Sequence, residues 1–413
     1  MEVLFENKGS RYSFDFTDYK LKCDVSRISA RDGHSICRLM VTTYHKSYNP
    51  HILGDNFNLT SSRSRTSLAK DLAARYHPKD IIVDWPNILE YISQKSVIEY
   101  EKGEPFLEIC STDAVGELEY LIDPIAPKSK PTIIFGDPGA GKSQLIGILN
   151  TIMMLPWEDN DLRLIAPNQR EKCGFLDYEA DADDMRRFLS KLASGMGLPP
   201  IPMLYRHCDI PLIKDMESIG NYIDHLKLTC LMVDSASLAS GGDLNSMQVA
   251  QDYIRACRQL RITTISLAHT SKDRESKAKT ILGSVLFEAG ARSVWECRGQ
   301  EDEEHNSFDI ALFHRKSNLS KKSKPLGYRI SYTADGNVVQ WHDPSSVPEF
   351  LERMSANKRI LDALKHGKLS TKELVEKLSD LKRSTIDGNL KRLKDAGVIS
   401  GDSNSWNLTC KMV

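Results

Sequence analysis

Apolar residues along this chain do not keep one rhythm, and the changes of rhythm divide it into four stretches. From 131 to about 345, short solid apolar runs alternate with longer segments of helical spacing. The runs are TIIFG, CGFLDYE, TCLMVDS, ITTISLAH, ARSVWEC and FDIALFH. A run apolar at every position is a strand buried on both faces, and strands alternating with helices form a parallel sheet covered by helices. Residues 1–95 open instead with alternating segments, YSFDF and ICRLMVTTY, before helices expected over 67–76 and 85–93. That pattern predicts a small α+β domain. Residues 96–130 begin charged and continue as LEYLIDPIAPKSKP, where Pro124, Pro127 and Pro131 mark a connector.

The last stretch, 355–413, follows the linker WHDPSSVPEF. Ser355 can cap a helix running to His366 and ended by Gly367. Ser370-Thr371-Lys372-Glu373 is a capping box opening a second helix to Leu378. Ser384 starts a third, ended by Gly397. The strand-like VIS, the turn GDSNS and WNLT then complete three helices and a hairpin, the form of a winged helix-turn-helix. On the third helix Lys391, Arg392 and Lys394 flank Ile386, Leu390 and Leu393, and residues 356–413 carry a net charge of about +5. Such a patch fits DNA phosphates, while winged helices also dock proteins. The fold class expected is therefore α/β, a core with a mostly parallel sheet between two smaller domains.

Composition narrows the setting. At 413 residues, 40% hydrophobic and 27% charged, the chain suits two or three soluble domains. A formal net charge of -1 confines any nucleic-acid surface to a local patch. No stretch of about eighteen apolar residues occurs, which argues against a membrane span, and MEVLFENKGS has no secretory pattern. Cys23, Cys37, Cys110, Cys173, Cys208, Cys230, Cys257, Cys297 and Cys410 stand singly, with no CxxC pair. Buried thiols in a reducing cytoplasm are expected, not zinc or disulfides.

The chemistry begins at Gly136-Asp137-Pro138-Gly139-Ala140-Gly141-Lys142-Ser143, followed by Gln144. This is GxxxxGK[ST] between an apolar strand, 132–135, and a helix over 143–153. Glycines let successive amides point at phosphates, Lys142 supplies charge to the β- and γ-phosphates, and the Ser143 hydroxyl can ligate Mg²⁺. The helix N-terminus adds partial positive charge. ATP and Mg²⁺ are the expected ligands. CLMVDSAS places Asp234 at a strand end, where a carboxylate can hold the metal through water. Between the two lies CGFLDYEADADDMRRFL, ending in Tyr178-Glu179. A carboxylate ending a strand that neighbours the phosphate loop can deprotonate the attacking water. Glu179 takes that role here, with Asp177 as a rival on the same face. Asp181, Asp183 and Asp184 suit the start of a helix over 183–192.

In this order, GDPGAGKS, DYEADADDMRRFLSKLASGMGLP, LMVDSASLASGGDLNS, ISLAHTSKD, GSVLFEAGARSVWE and HRKSN resemble the RepA-like AAA_25 branch of RecA-type ATPases. That branch includes hexameric replicative helicases, and the resemblance covers about residues 118–335. It implies a RecA core, ATP bound between subunits, a ring of six, and loops gripping single-stranded DNA in a central channel. Lys142, Ser143, Glu179 and Asp234 fall on the nucleotide motifs. His269 matches the position that senses the γ-phosphate, against the plain alternative of a strand-end histidine. Arg292 resembles the arginine that a neighbouring subunit inserts toward the γ-phosphate, against that of a surface strand charge. HRKSN departs from DnaB-like relatives, which carry a Lys and an Arg two residues apart. Lys316 matches the first, but Asn318 stands at the second, so Arg292, Arg315 and Lys316 remain rival trans residues.

Two segments after the sheet's strands are expected as flexible, DNA-facing loops. One is 236–245, ASLASGGDLN. The other is 270–282, carrying Lys272, Arg274, Lys277 and Lys279. A basic run, 315–324, adds Lys321, Lys322 and Lys324 but no aromatic for stacking. Two functions fit: a DNA motor of helicase type, or a DNA-bound ATPase switch such as a loader, mediator or regulator. A small-molecule kinase fits less well, since it would leave the winged helix without purpose.

Overall fold

The computed structural model describes residues 2–7, 11–31, 34–102, 110, 116–155, 157–271, 280–283, 285–347, 350, 356–365 and 367–409. Alternation near the N-terminus becomes an antiparallel meander in simple order: β1 (Leu4–Asn7), β2 (Arg11–Phe16), β3 (Leu21–Arg31), β4 (His34–Thr43) and β5 (His51–Asn58). Its inward residues, among them Phe14, Phe16, Leu39 and Val41, pack under α1 (Ser62–Arg75) and α2 (Trp85–Lys102). Both helices are longer than expected. The polar run SRSRTS has no apolar period to announce it, yet Ser61 caps it by accepting the Ser64 amide at 3.2 Å. In α2 the far end is solvent-facing and carries the i,i+4 pair Lys95–Glu99.

The central domain comprises β6 (Tyr120–Ile122), β7 (Ala126–Pro127), β8 (Pro131–Gly136), α3 (Lys142–Met154), β9 (Cys173–Asp177), α4 (Ala182–Met196), β10 (Leu204–His207), α5 (Leu212–Leu226) and β11 (Cys230–Asp234). It continues through α6 (Ala236–Ser240), α7 (Met247–Gln259), β12 (Thr263–His269), α8 (Val285–Gly290), β13 (Ser293–Asp302), β14 (Ser307–Ser317), β15 (Leu326–Thr333) and β16 (Gly336–Trp341). Nine strands form one sheet in the order β10-β9-β11-β12-β8-β13-β14-β15-β16. Pairing is parallel from β10 through β13 and antiparallel beyond. One apolar layer lies under α3 and α4, the other under α5 and α7. All six apolar runs are strands. β10, β15 and β16 escaped the reading because they sit toward the sheet margins and mix polar with apolar residues.

Two expectations need correction here. The end of the 96–130 connector belongs to the core: Leu121, Ile122, Ile125 and Ala126 are buried with α3. Prolines mark its turns, but its apolar residues have no other shelter. Segment 236–245 is not a loop throughout, because α6 occupies its first half with Ala236, Ala239 and Ser240 buried. Small residues there pack closely, and the Ser240 hydroxyl donates to the Ala236 carbonyl at 2.8 Å. The outer face of the N-terminal sheet meets α5 through charge, with Arg11 on Asn221 and Asp224 and Arg38 on Glu217.

The last unit holds α9 (Ala356–Lys365), α10 (Thr371–Lys377), α11 (Arg383–Asp395), β17 (Ile399–Asp402) and β18 (Ser405–Leu408). Ser355 and His366 lie outside the described residues. The Ser370–Glu373 capping box is formed reciprocally. Leu369 and Trp406 exchange backbone hydrogen bonds of 3.2 and 2.8 Å, adding a third short rung to the β17–β18 hairpin. No described helix is long and apolar enough to cross a membrane. Cys23, Cys37, Cys173, Cys208, Cys230, Cys257 and Cys297 are free and buried, and Cys110 is exposed. Cys410 lies outside the described residues.

Candidate nucleotide-binding site

Parallel pairing puts the carboxyl ends of β8, β9, β11 and β12 on one edge, and register aligns them. His269 stands opposite Gly136, and Asp234 opposite Asp177. Strand β9 was expected beside β8 and is not its neighbour, because β11 and β12 intervene. The crossover from β8 passes over them, so Glu179 reaches the loop from three strands away.

At the edge, β8 turns through Asp137–Gly141 into α3. Gly139 and Gly141 hold φ of 76° and 78°, the left-handed region that costs glycine little. A Cβ on Gly141 would come within 2.7 Å of the Phe308 ring, and one on Gly136 within 2.2 Å of the Cys297 carbonyl oxygen. Strands β13 and β14 thus support the loop from beneath. No side chain caps α3, and the first-turn amides of Lys142, Ser143 and Gln144 have no intrahelical acceptor. Uncapped amides at a buried helix start suit phosphate oxygens. The Gln144 side chain donates through Nε2 to the Tyr332 hydroxyl at 3.2 Å.

The Lys142 ammonium is buried and donates to the carbonyls of Gly136 and Asp137 at 3.0 and 2.8 Å. Burial lowers its pKa, against the neighbouring carboxylates Asp234, Glu179 and Asp137. The Ser143 hydroxyl donates to Asp234 Oδ2 at 2.6 Å. No cluster of three or more potential metal ligands exists among the described residues. One carboxylate and one hydroxyl suit Mg²⁺, which keeps waters and takes its remaining ligands from phosphates.

Glu179 lies two residues beyond β9, and its Oε1 is 3.1 Å from His269 Nε2. Burial would raise its pKa, but hydrogen bonds from Ser235 and His269 and the charges of His269 and Lys142 hold it below the ordinary value. Asp177, the rival, is 3% exposed, with Oδ1 accepting the Glu179 and Ala180 amides at 3.0 and 2.9 Å. Its Oδ2 accepts from the Tyr205 hydroxyl at 3.0 Å. Asp181 caps α4 through the Asp183 and Asp184 amides. Asp177 thereby closes an Asx turn over Glu179 and Ala180. Tyr205, Ser235 and Thr270 carried no local signal. The Thr270 hydroxyl bonds to Asp137, and Thr270 pairs with Ile281 to close the stem of the loop carrying Lys272, Arg274, Lys277 and Lys279. Those four side chains lie outside the described residues.

Arg292 stands at the opposite edge. It is exposed, and its amide donates to the Pro131 carbonyl, where β8 begins. It is therefore not brought to Lys142 of its own chain. Lys316 donates to the carbonyls of Glu288, Ala289 and Ala291, closing the end of α8. Arg315 pairs with Glu296 at 3.5 Å, and Arg298 with the same carboxylate at 2.8 Å. Arg298 also lines a cleft of about 240 Å³ beside Asp137 and Pro138, a position the sequence did not single out. On α11, Lys391 and Arg392 are exposed. Lys394, also exposed, donates to the Gly401 carbonyl at 2.8 Å and lies over the Trp406 ring, so it braces the hairpin as well.

The loop, the strand order and the convergence of carboxylates on one edge define a P-loop ATPase domain of the RecA-like kind. Residues 112–275 match a family model described as an AAA domain, AAA_25. No curated protein matches the chain. Among solved structures, a KaiC-like protein from the hyperthermophilic archaeon Pyrococcus horikoshii OT3 is similar at 16% identity and a TM-score of 0.37. That likeness covers 53% of this chain and 93% of that chain.

Asp234 gives a prediction whose sign can be worked out. Burial raises its pKa to about 6, against the Ser143 hydrogen bond and with help from Glu179 and Asp177. An acid whose pKa is raised on folding costs stability once ionised. The cost is absent below its unfolded value near 4 and complete above about 6. A shift of that size corresponds to roughly 3 kcal/mol. Without magnesium, Asp234→Asn is expected to melt above the parent at pH 8, with the gap closing near pH 4. Thermal unfolding at both pH values checks this, and a gap independent of pH would exclude the buried charge as its cause.

Proposed function

We propose that this chain is an ATP-hydrolysing, DNA-binding, ring-forming motor resembling the RepA-like replicative helicases. One observation carries the reading: Ser143, Asp234, Glu179 and His269 converge where an uncapped helix start faces outward from the sheet edge. In this reading the α3 amides and Lys142 bind the triphosphate, and Ser143 and Asp234 hold Mg²⁺. The metal neutralises charge developing on the β- and γ-oxygens. Glu179 accepts the proton of the attacking water, its lowered pKa keeping it ionised at neutral pH. His269 holds Glu179 and adjoins Thr270, which precedes the segment carrying Lys272, Arg274, Lys277 and Lys279. Nucleotide state can thereby reach a DNA-facing loop.

Arg292, at the far edge, serves a phosphate only on another copy, which favours a homo-oligomer, a hexamer by resemblance. The three helices and hairpin of 356–409 serve as the winged helix, with Lys391 and Arg392 on DNA phosphates. A second reading, a DNA-bound ATPase switch without unwinding, draws support from Lys316 and Arg315. Both are engaged within their own chain, and Asn318 carries no charge, so few cations remain for trans activation.

Lys142→Ala is expected to abolish MgATP binding or turnover, whereas Glu179→Gln keeps binding and loses turnover by about a hundredfold or more. Equal loss of binding in both variants would remove Glu179 as the base. Turnover with and without single-stranded DNA, alongside native mass, tests the DNA-driven ring, and strand displacement separates motor from switch. The pair Lys391→Glu and Arg392→Glu is expected to weaken DNA binding about tenfold or more and to flatten its salt dependence by roughly two counterions. Unchanged affinity in a binding titration would assign that helix to protein docking.

A further inference from the structure

Glu179 projects from a turn, and nothing in Glu179 itself fixes that turn. Its position is set from two sides. On the inner side the Tyr178 amide donates to the Asp234 carbonyl at 2.6 Å, tying the turn to the metal-site strand. On the outer side stands β10, the edge strand. Its Cys208-side end receives the chain through the Asp177 carbonyl, which accepts the Cys208 amide at 2.8 Å. Tyr205 and His207, two apart and so on one face of β10, both approach the turn. The Tyr205 hydroxyl lies 3.0 Å from Asp177 Oδ2 and 3.3 Å from the Ala180 carbonyl, and His207 Nδ1 is 3.1 Å from the same carbonyl.

Asp177 joins the two sides. One oxygen takes both amides of the turn, those of Glu179 and Ala180, and the other takes the phenol. A buried carboxylate with all its nearby donors satisfied has one favoured orientation, and the amides it holds are fixed with it. The Tyr205 ring is seated against Phe175 at 5.8 Å, so the hydroxyl cannot wander from the carboxylate. Desolvation, with the Asp177 bond and charge behind it, raises the phenol pKa and keeps it a donor.

We propose that Tyr205 and Asp177 are positioning residues for Glu179, a hydroxyl–carboxylate–amide relay that sets where the base stands at the sheet edge. The inference rests on Glu179 acting as the base. Tyr205→Phe deletes the donor while keeping the ring. It is expected to lower kcat about tenfold or more, the scale on which small misplacements of a reacting group act, with MgATP affinity unchanged. Asp177→Asn keeps an oxygen for the two amides but offers an NH₂ to the phenol. It should give a similar loss, and the double variant should fall no further than the worse single one.

The separating measurement is single-turnover hydrolysis in the Glu179→Gln background, with melting temperatures as a check on folding. There Tyr205→Phe should change the residual rate less than twofold, because the group it positions is already gone. A wild-type kcat in Tyr205→Phe overturns the inference, as does an equal fold-loss in both backgrounds. Should Tyr205→Phe fail to fold, Asp177→Asn is read in the same way. Full turnover in Glu179→Gln alone would instead overturn the base assignment, a result independent of Tyr205.

Discussion

A helix that begins inside a domain must find acceptors for its first amides, and α3 begins without any cap of its own. Much of the central domain can be understood as the consequence. Gly141 lies in the left-handed region with Phe308 and Ile310 pressing where a Cβ would stand, and the Cys297 carbonyl presses in the same way on Gly136. The loop is therefore kept open by packing from β13 and β14, and its amides are left to an external anion. Lys142 meanwhile spends its donors on the loop's own carbonyls. A phosphate exchanges those bonds for charge-assisted ones and does not have to create a site.

The same edge gathers negative charge, which an anion-binding site would be expected to avoid. Asp177 and Asp234 end strands there and Glu179 follows two residues after Asp177, and the chain separates them by giving each a different set of donors. Asp177 is saturated by two amides and a phenol, Asp234 takes the Ser143 hydroxyl, and Glu179 takes His269 and Ser235. Burial drives Asp234 up to about 6 while Glu179 is held down. Two carboxylates pushed in opposite directions by their surroundings are suited to different tasks, one to a cation and one to a proton.

What the sequence made legible follows the range of the interaction concerned. The phosphate loop, the six buried strands, the Ser370–Glu373 box and the Asp181 cap are each written within a few neighbouring residues, and each is found. The true ends of α1 and α2 were not, because solvent-facing turns carry no apolar period. Long-range facts were illegible for a different reason. That two strands separate β9 from β8, that Lys394 turns to the hairpin and that Lys316 closes α8 all depend on which elements the fold brings together. Asp177 stands between the two cases. Its carboxylate at the strand end was readable, whereas its phenol partner, 28 residues away on β10, was not.

Charge placement across the sheet bears on how one chain can use its own residues. Strand β8 runs from Pro131 to Gly136, six residues, or roughly 17 Å between edges. Arg292 is tied to one end by its backbone and the phosphate loop forms the other. Nine paired strands do not fold back on themselves, so no side-chain rotation joins the two within a subunit. If the exposed guanidinium acts on a triphosphate, that triphosphate is bound by another copy, and catalysis and assembly then draw on the same arginine. The cations nearest to it cannot substitute cheaply. Lys316 would have to abandon three carbonyls at the end of α8, and Arg315 would leave a fully buried Glu296 with one fewer partner. Each such exchange strips a buried group of its compensation, which costs more than a surface charge returns. Of Arg292, Arg315 and Lys316, Arg292 is thus the one whose side chain makes no described bond that trans activation would have to break.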